Sequence, residues 1–346
     1  MNPILACVLA AVVGFGLAFG LGYLVIPFLH KLKFGQTILD IGPKWHKDKQ
    51  GTPTMGGILF IVGAYLGLFV VFFVFKLLGK DLISSGELFE NVADPLKIKF
   101  WAGILMAFGF GFIGFLDDYI KVVKKRNLGL TILQKTVLQV IVMVAYLFTL
   151  YWNDGMTGAM YIPFVGKVET KIFFWLIGVA VIYCTTNAVN FTDGVDGLCA
   201  SVTLTAALGF VAVGFICRVL GVSVLASALA GALAGYLIWN WHPAKVMMGD
   251  FGSMFLGGLV IALAYTVDRP FIILLIGIIY VAEFGSDILQ IGYFKLTHGK
   301  RIFKMAPIHH HFEMCGWKET KIVTVFSAVN LAGAIAAVLL VALETP

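Results

Sequence analysis

The sequence predicts an all-α polytopic membrane protein with about ten transmembrane helices, both termini outside and an active site on the cytoplasmic face. The 346 residues are 60% hydrophobic and 13% charged, whereas a soluble domain is about a quarter charged. Ten apolar stretches approach the roughly 20 residues that cross a bilayer core. Sixteen of the 25 Lys and Arg residues fall in alternate loops, and this bias marks the cytoplasmic side.

The ten predicted spans form one integral membrane domain over residues 1–346. The division between the eighth and ninth spans rests only on the three residues that follow Val267. A straight ninth helix entering at Phe271 would place Asp287 about 24 Å along its axis. Between the fourth and fifth spans, the turn-rich segment 153–171 is compatible with a small hairpin. The spans are 3–29, 55–78, 98–116, 132–152, 172–190, 198–217, 223–241, 253–267, 271–294 and 321–343.

Glycine spacing and charge limit the kinds of partner. The pairs Gly16 with Gly20 and Gly231 with Gly235 indicate close contacts between helices and not nucleotide loops. The net charge of +6 mostly reflects the loop bias, and no nucleic-acid motif accompanies it. We therefore expect membrane lipid around the chain and no nucleic-acid partner.

The stretch NAVNFTDGVDG at 187–197 closes the fifth span with polar side chains. Asn187, Asn190, Asp193 and Asp196 recur at every third residue, and they predict an oxygen-rich cup at the mouth of the helix. Gly194 lets the backbone turn and approach a ligand closely. The alternative is an Asx-rich cap between two helices, because Asn and Asp readily bond their own turns.

Two acidic sites stand at predicted helix ends on the cytoplasmic side. Asp117 and Asp118 are adjacent where the third span reaches the interface, and neighbouring carboxylates repel unless a cation compensates. Lys121 offers compensation as part of an ordinary interfacial helix, and Mg²⁺ offers another. Asp250 lies in a Gly-rich stretch before the eighth span, where it is either a helix N-cap or a third metal carboxylate.

Two more acids and three histidines are predicted near this face. Glu283 and Asp287 are four residues apart, so they share one helix face and should point to the bundle interior or water. His309, His310 and His311 are consecutive, so a regular helix or strand cannot direct all three at one zinc ion. Phosphate hydrogen bonding or proton transfer suits them better.

Carboxylates, histidines and surplus lysines at one membrane face are the equipment of Mg²⁺-dependent phosphoryl transfer. No Gly-x-x-x-x-Gly-Lys-Ser/Thr motif or kinase signature supports ATP as the donor. An ion-coupled transporter is the competing class, with Glu283 and Asp287 as its ion path. Against it, the other acids lie in loops at one interface and not near the midplane. A scaffold without chemistry is the third alternative.

Five stretches closely resemble the phospho-N-acetylmuramoyl-pentapeptide transferases, a family of the polyprenyl-phosphate N-acetylhexosamine-1-phosphate transferases. The last of these stretches, RIFKMAPIHHHFE at 301–313, separates this family from relatives that use other amino sugars. It is predicted to select the donor, because its polar groups would stay unpaired with a bare N-acetylglucosamine. The stretches are GTPTMGG at 51–57, GFLDDYIK at 114–121, NAVNFTDGVDGL at 187–198, MGDFGS at 248–253 and RIFKMAPIHHHFE at 301–313.

The resemblance implies a reaction in the bacterial cytoplasmic (inner) membrane. Undecaprenyl phosphate attacks the sugar-linked phosphate of UDP-N-acetylmuramoyl-pentapeptide and releases UMP, with Mg²⁺ as the required cofactor. The ninth helix bends to form a groove for the lipid tail. A related transferase that uses another UDP-amino sugar is the alternative. The sequence leaves open direct attack or a covalent phospho-enzyme, and it leaves open the oligomeric state, with a homodimer as one candidate.

The resemblance also implies roles for individual residues. Asp117 and Asp118 resemble the catalytic pair, and Asp250 completes the catalytic and metal-binding set with them. His309 and His310 resemble catalytic or substrate-orienting histidines. Family members commonly carry Phe at the position of Met247, where a ring can stack on uracil, and Met can still pack on that ring. The implied substrate-binding residues are Lys49, Thr54, Asn187, Asn190, Asp193, Gly194, Asp196, Met247, Gln290 and His311.

Overall fold

A computed structural model gives the fold, and it describes residues 2–32, 51–83, 93–123 and 128–345. Within these ranges, nine helices are long and apolar enough to cross a membrane, and a bent pair of helices raises the number to ten. The prediction of a polytopic helical membrane protein is confirmed. The placement of both termini outside stays a prediction.

The described residues contain one β-hairpin besides the helices. Strands β1 (Ala159–Ile162) and β2 (Gly166–Glu169) pair antiparallel, so the segment 153–171 does form a hairpin and the fold is not purely α. The helices are α1 (Pro3–Lys31), α2 (Gly57–Leu77), α3 (Ala93–Val123), α4 (Ile132–Asn153), α5 (Phe173–Thr192), α6 (Leu198–Ile216), α7 (Leu220–Asn240), α8 (Gly249–Thr266), α9 (Ile273–Ile276), α10 (Ile278–Leu296), α11 (Ile308–Met314) and α12 (Glu319–Glu344).

Glycines allow α1 and α7 to pack backbone against backbone. A Cβ added at Gly231 would lie 2.0 Å from the carbonyl oxygen of Ala11, and one added at Gly235 would also meet the α1 backbone. The predicted contact is therefore confirmed for this pair. For Gly16 and Gly20 the prediction is wrong among the described residues, because none of them would lie within 4 Å of a Cβ added at either position.

The predicted ninth span is bent and not straight. A short 3-10 turn at Pro270–Ile272 leads into α9, and this segment meets α10 at 89°. The break falls at Gly277, whose φ of −125° and ψ of 40° are not helical. The predicted position of Asp287, about 24 Å along a straight helix, is therefore wrong. The bend itself is what the family resemblance implied.

Asn330 of α12 stabilises this break. Its Nδ2 lies 3.1 Å from the carbonyl oxygen of Ile276, and its Oδ1 accepts from the backbone N–H of Ile279 at 3.3 Å. A bend frees backbone groups that need new partners inside a membrane, and this buried amide supplies them. Spacing in the sequence does not indicate this link, because Asn330 lies 53 residues further along the chain than Gly277.

The two ends of the bundle differ in what they carry. We call the end that carries the β-hairpin the hairpin end. There Lys99 of α3 forms an ion pair with Asp268 at 2.5 Å. Asp117 lies on the same helix, about 27 Å further along at 1.5 Å per residue. We call that opposite end the aspartate end, and the candidate site lies there.

Candidate active site

The aspartate end forms where the backbones of α3 and α8 touch. A Cβ on Gly114 would lie 2.1 Å from the carbonyl oxygen of Asp250, so only glycine fits at this contact. The approach brings the end of α3 beside the first turn of α8. Asp250 lies in that first turn, and the N-cap position belongs to Met248, so the N-cap alternative for Asp250 is wrong.

Asp117, Asp118 and Asp250 form what we call the acidic cluster. One carboxylate oxygen from each lies within 4.8 Å of the others. Asp117 and Asp118 are buried, and Asp250 is half-buried. The structure thus brings together the three carboxylates that the sequence singled out. An all-oxygen donor set of this kind fits Mg²⁺, which binds one or two carboxylates together with phosphate oxygens.

Two lysines partly neutralise the acidic cluster. Lys121 Nζ lies 2.5 Å from Asp117 Oδ2 and 3.2 Å from Asp250 Oδ2. Lys135 Nζ, from α4, lies 2.9 Å from Asp250 Oδ2. Lys121 is therefore an intrahelical partner, as its spacing predicted, and also a link to α8. Three carboxylates beside two ammonium groups leave a negative charge that a cation would offset.

Backbone N–H groups hold the two carboxylates of α3 in place. Leu130 N donates to Asp117 Oδ1 at 2.8 Å, and Phe251 N donates to Asp118 Oδ2 at 3.1 Å. The second oxygen of each carboxylate faces Lys121, at 2.5 Å for Asp117 and 3.7 Å for Asp118. Each aspartate thus keeps one oxygen directed into the cluster.

Asn190, near the end of α5, fixes the third carboxylate. Its Nδ2 donates to Asp250 Oδ1 at 3.0 Å and to Ser253 Oγ at 2.8 Å. Asn187 instead pairs with Gln139 of α4, with amide contacts of 3.2 and 3.4 Å. Asn190 therefore contacts the acidic cluster, whereas Asn187 joins two helices.

The loop before α2 lies against the loop before α8. Met247 N donates to the Pro53 carbonyl at 2.8 Å. A Cβ on Gly249 would lie 2.5 Å from both Thr54 Oγ1 and Asp118 Oδ2. Thr54 therefore stands beside the acidic cluster. Met247 is only 7% exposed, so little of its side chain is available to pack on a base.

Asp196 belongs to a separate polar group. Its Oδ2 lies 2.9 Å from His242 Nδ1 and accepts from Ala244 N at 3.1 Å, and the residue is 2% exposed. Glu319 Oε2 lies 3.6 Å from the same His242 nitrogen. The predicted single cup is therefore wrong, because α5 ends at Thr192 and Asp196 lies beyond that end, where its carboxylate contacts His242.

Asp193 and Gly194 form the turn after α5. Asp193 is the C-cap residue of α5, and it is half-buried. A Cβ on Gly194 would lie 2.2 Å from His309 Nε2, so the imidazole packs directly against this turn. The close backbone approach predicted for Gly194 is present, and the group that approaches it is His309.

The three histidines occupy different surroundings. His309 is fully buried, and its Nδ1 lies 2.9 Å from Glu283 Oε2. His310 Nδ1 lies 2.6 Å from Glu313 Oε2, and this imidazole is partly exposed. His311 Nδ1 accepts from the backbone N–H of Lys304 at 3.1 Å. The complete burial of His309 favours the substrate-orienting alternative over the catalytic one.

Gln290 is occupied by the loop that precedes α11. Its Oε1 accepts from the backbone N–H groups of Ile302 and Phe303 at 3.1 and 3.0 Å, and its Nε2 donates to the Phe303 carbonyl at 3.0 Å. Gln290 therefore shapes this loop. Lys49, the remaining predicted substrate-binding residue, lies outside the residues that the structure describes.

Sequence reasoning missed several partners in the site. Lys135 was visible as a lone cation in an apolar span, and an intramembrane charge is costly unless it is paired. Glu283 was expected to face the interior, but its pairing with His309 joins segments 26 residues apart. Glu319 and Ser253 carried no sequence signal, because only the folded chain shows what they contact.

Two family models match the chain. The model for glycosyl transferase family 4 matches residues 100–268, which include the acidic cluster. Signature 1 of the phospho-N-acetylmuramoyl-pentapeptide transferases matches residues 49–61. The helical membrane fold and these matches define a membrane-embedded enzyme of the glycosyl-1-phosphate transferase class.

Curated relatives of similar length narrow this class. A phospho-N-acetylmuramoyl-pentapeptide-transferase of Listeria monocytogenes serovar 1/2a is 43% identical over 326 residues, 92% of this chain and 93% of the relative. The enzyme of the same name from Clostridium perfringens strain SM101 is 44% identical over 327 residues, 94% and 93% of the two chains. The chain belongs to the phospho-N-acetylmuramoyl-pentapeptide transferase family.

Proposed function

We propose that the chain transfers phospho-N-acetylmuramoyl-pentapeptide from its UDP derivative to undecaprenyl phosphate and releases UMP. The reaction takes place at the cytoplasmic face of the bacterial inner membrane. The observation that carries the proposal is the acidic cluster, with three carboxylate oxygens within 4.8 Å at the end of a membrane bundle. The names of the relatives support phospho-N-acetylmuramoyl-pentapeptide as the transferred group.

The proposed transfer makes one P–O bond and breaks another. A phosphate oxygen of the acceptor lipid bonds to the sugar-linked phosphorus of the donor, and UMP leaves with the bridging oxygen and its electron pair. Such a transfer needs little covalent chemistry from the protein, so catalysis rests on positioning and charge. Lys121 and Lys135 are placed to offset negative charge on the phosphates.

Asp117, Asp118 and Asp250 would hold the Mg²⁺ ion. When bound, this cation would neutralise charge on the diphosphate oxygens. The protein's own part is to keep the carboxylates oriented. Asn190 and the backbone N–H of Phe251 do so through hydrogen bonds of 3.0 and 3.1 Å.

The remaining predicted residues divide into two groups in this proposal. One group contacts the donor, and the other holds the segments that make these contacts. The first group is Lys49, Thr54, Asn190, Asp193, Gly194, His310 and His311, and the second is Asn187, Asp196, Met247, Gln290 and His309. In this proposal, residues 1–346 act as one domain surrounded by membrane lipid. The homodimer is a further part of the proposal, and sedimentation of the purified protein in detergent would test it.

The transporter alternative has less support. It requires Glu283 and Asp287 to line an ion path. The Glu283 carboxylate is fully buried and hydrogen-bonded to His309, which favours a role within a packed site. A metal-binding acidic cluster at one end of the bundle also fits a surface reaction better than transport across the midplane.

Product formation from two donors tests the proposed function. The purified protein is mixed in detergent with undecaprenyl phosphate, Mg²⁺ and either UDP-N-acetylmuramoyl-pentapeptide or UDP-N-acetylglucosamine. We expect a lipid-linked muramoyl-pentapeptide and an equal amount of UMP from the first donor, and very little product from the second. Comparable turnover of both donors would favour a related transferase, and no product from either would contradict the proposal.

A further inference from the structure

A buried pair of ionisable side chains joins α10 to the start of α11. Glu283 and His309 each have 0% exposed side chains, and Glu283 Oε2 lies 2.9 Å from His309 Nδ1. The same oxygen lies 3.5 Å from the backbone nitrogen of His309. A buried carboxylate is costly unless it is hydrogen-bonded, so this pair ties the histidine firmly to the bent helix.

The pair directs the other side of the imidazole at the turn after α5. When His309 Nδ1–H donates to Glu283, Nε2 is the ring nitrogen that remains for another contact. This atom lies 2.2 Å from the position of a Cβ on Gly194. A side chain at position 194 would therefore collide with the ring, because the ring packs directly against the Asp193–Gly194 turn.

Two buried polar atoms of this pair make no hydrogen bond to any described residue. They are Glu283 Oε1 and His309 Nε2. Buried polar atoms without partners are costly, and in native proteins each calls for an explanation such as a functional role. A pair kept only for stability would be served as well by apolar side chains. The geometry therefore indicates a role beyond holding the fold.

We propose that Glu283 is a positioning residue for the donor site. It fixes the orientation of His309, and His309 in turn fixes the Asp193–Gly194 turn that faces the UDP-linked donor. This inference rests on the proposed function for the identity of the donor. It assigns no contact between Glu283 and either substrate.

Steady-state kinetics with both substrates tests this role. Glu283→Ala should raise the KM for the UDP-linked donor about tenfold or more, because a displaced turn no longer fits the donor. The KM for undecaprenyl phosphate should change by less than about twofold, since that substrate does not depend on this turn. Glu283→Gln keeps an oxygen that can accept from Nδ1–H, and it should restore the donor KM to within about threefold of wild type.

A double variant and a control variant separate positioning from general stability. In a His309→Ala background, Glu283→Ala should add no further increase in donor KM, because Glu283 acts through His309. Asn330→Ala is the control, since Asn330 is also buried and ties the same bent helix. It should lower the melting temperature without a selective change in donor KM.

Three results would overturn the role of Glu283. The first is an unchanged donor KM in Glu283→Ala, and the second is an equal increase in the KM values of both substrates. The third is independent, additive effects of Glu283→Ala and His309→Ala on the donor KM. Absence of turnover in the wild-type protein would instead contradict the proposed function. Wild-type turnover accompanied by one of the three results contradicts only the positioning role.

Discussion

Lys135 Nζ lies 2.9 Å from Asp250 Oδ2, and this contact joins α4 to the first turn of α8. In the sequence, Lys135 is a single cation within an otherwise apolar span. Its partner lies 115 residues further along the chain. The contact therefore places a positive charge of α4 directly at the acidic cluster.

We predict that Lys135→Gln lowers the rate of UMP release by about 10²-fold, because a fixed cation beside the reacting phosphates stabilises charge in the transition state. The melting temperature should change little. Lys99→Gln is the matched control, since Lys99 makes a 2.5 Å ion pair with Asp268 at the hairpin end. An equal loss of rate in both variants would contradict a specific role for Lys135.

Gly249→Ala should remove activity through geometry alone. Gly249 has a φ of +71°, and its Cβ would lie 2.5 Å from Thr54 Oγ1 and Asp118 Oδ2. Gly79→Ala is the control, because Gly79 has a φ of +67° and no described residue lies within 4 Å of the position of its Cβ. The control should cost about 1 kcal/mol of stability and keep its activity. Full activity of Gly249→Ala would show that the site tolerates displacement of Asp118.

His310→Ala should reduce turnover of the muramoyl donor by about 10²-fold or more, because a positioned acid or base typically contributes about 10²- to 10⁴-fold. His310 is held by Glu313 at 2.6 Å and is partly exposed, so its loss should affect stability little. His298→Ala, in the exposed loop after α10, serves as the control. Undiminished turnover in His310→Ala would show that this imidazole does not serve the donor.

The orientation of the bundle can be tested by labelling intact cells. The distribution of Lys and Arg predicts that an impermeant amine reagent reaches Lys167 from outside and does not reach Lys304. Both side chains are accessible to the reagent, since Lys167 is 66% exposed and Lys304 is also exposed. Peptide mapping by mass spectrometry measures both sites together. Labelling of Lys304 from the outer side would reverse the predicted topology.

The sequence predicted the helices and the acidic cluster because both depend on local pattern. Apolar length alone defined α1 to α8 and α12. Each of the three aspartates of the acidic cluster stands at the end of an apolar span on the predicted cytoplasmic side. The sequence alone therefore predicts that they lie near one another. The sequence could equally place Asn190 near them, since it precedes the end of α5 by only two residues.

The rest of the site depends on contacts between distant segments. The bend at Gly277 needs Asn330 to bind the freed backbone groups, and glycine alone does not predict a bend. The burial of His309 depends on Glu283, and the separation of Asp196 from the acidic cluster depends on His242. Side-chain direction around a helix end is set by these neighbours and cannot be read from spacing.

The most direct test of the account is a Mg²⁺ titration of UMP release by the wild-type protein and by Asp250→Asn. Asp268→Asn serves as the control at the hairpin end. The account predicts no release by the wild type without Mg²⁺, a saturable increase as Mg²⁺ is added, and no release by Asp250→Asn at any Mg²⁺ concentration despite an unchanged melting temperature. A fully active Asp250→Asn protein, or wild-type release that persists in excess chelator, would contradict the assignment of the acidic cluster.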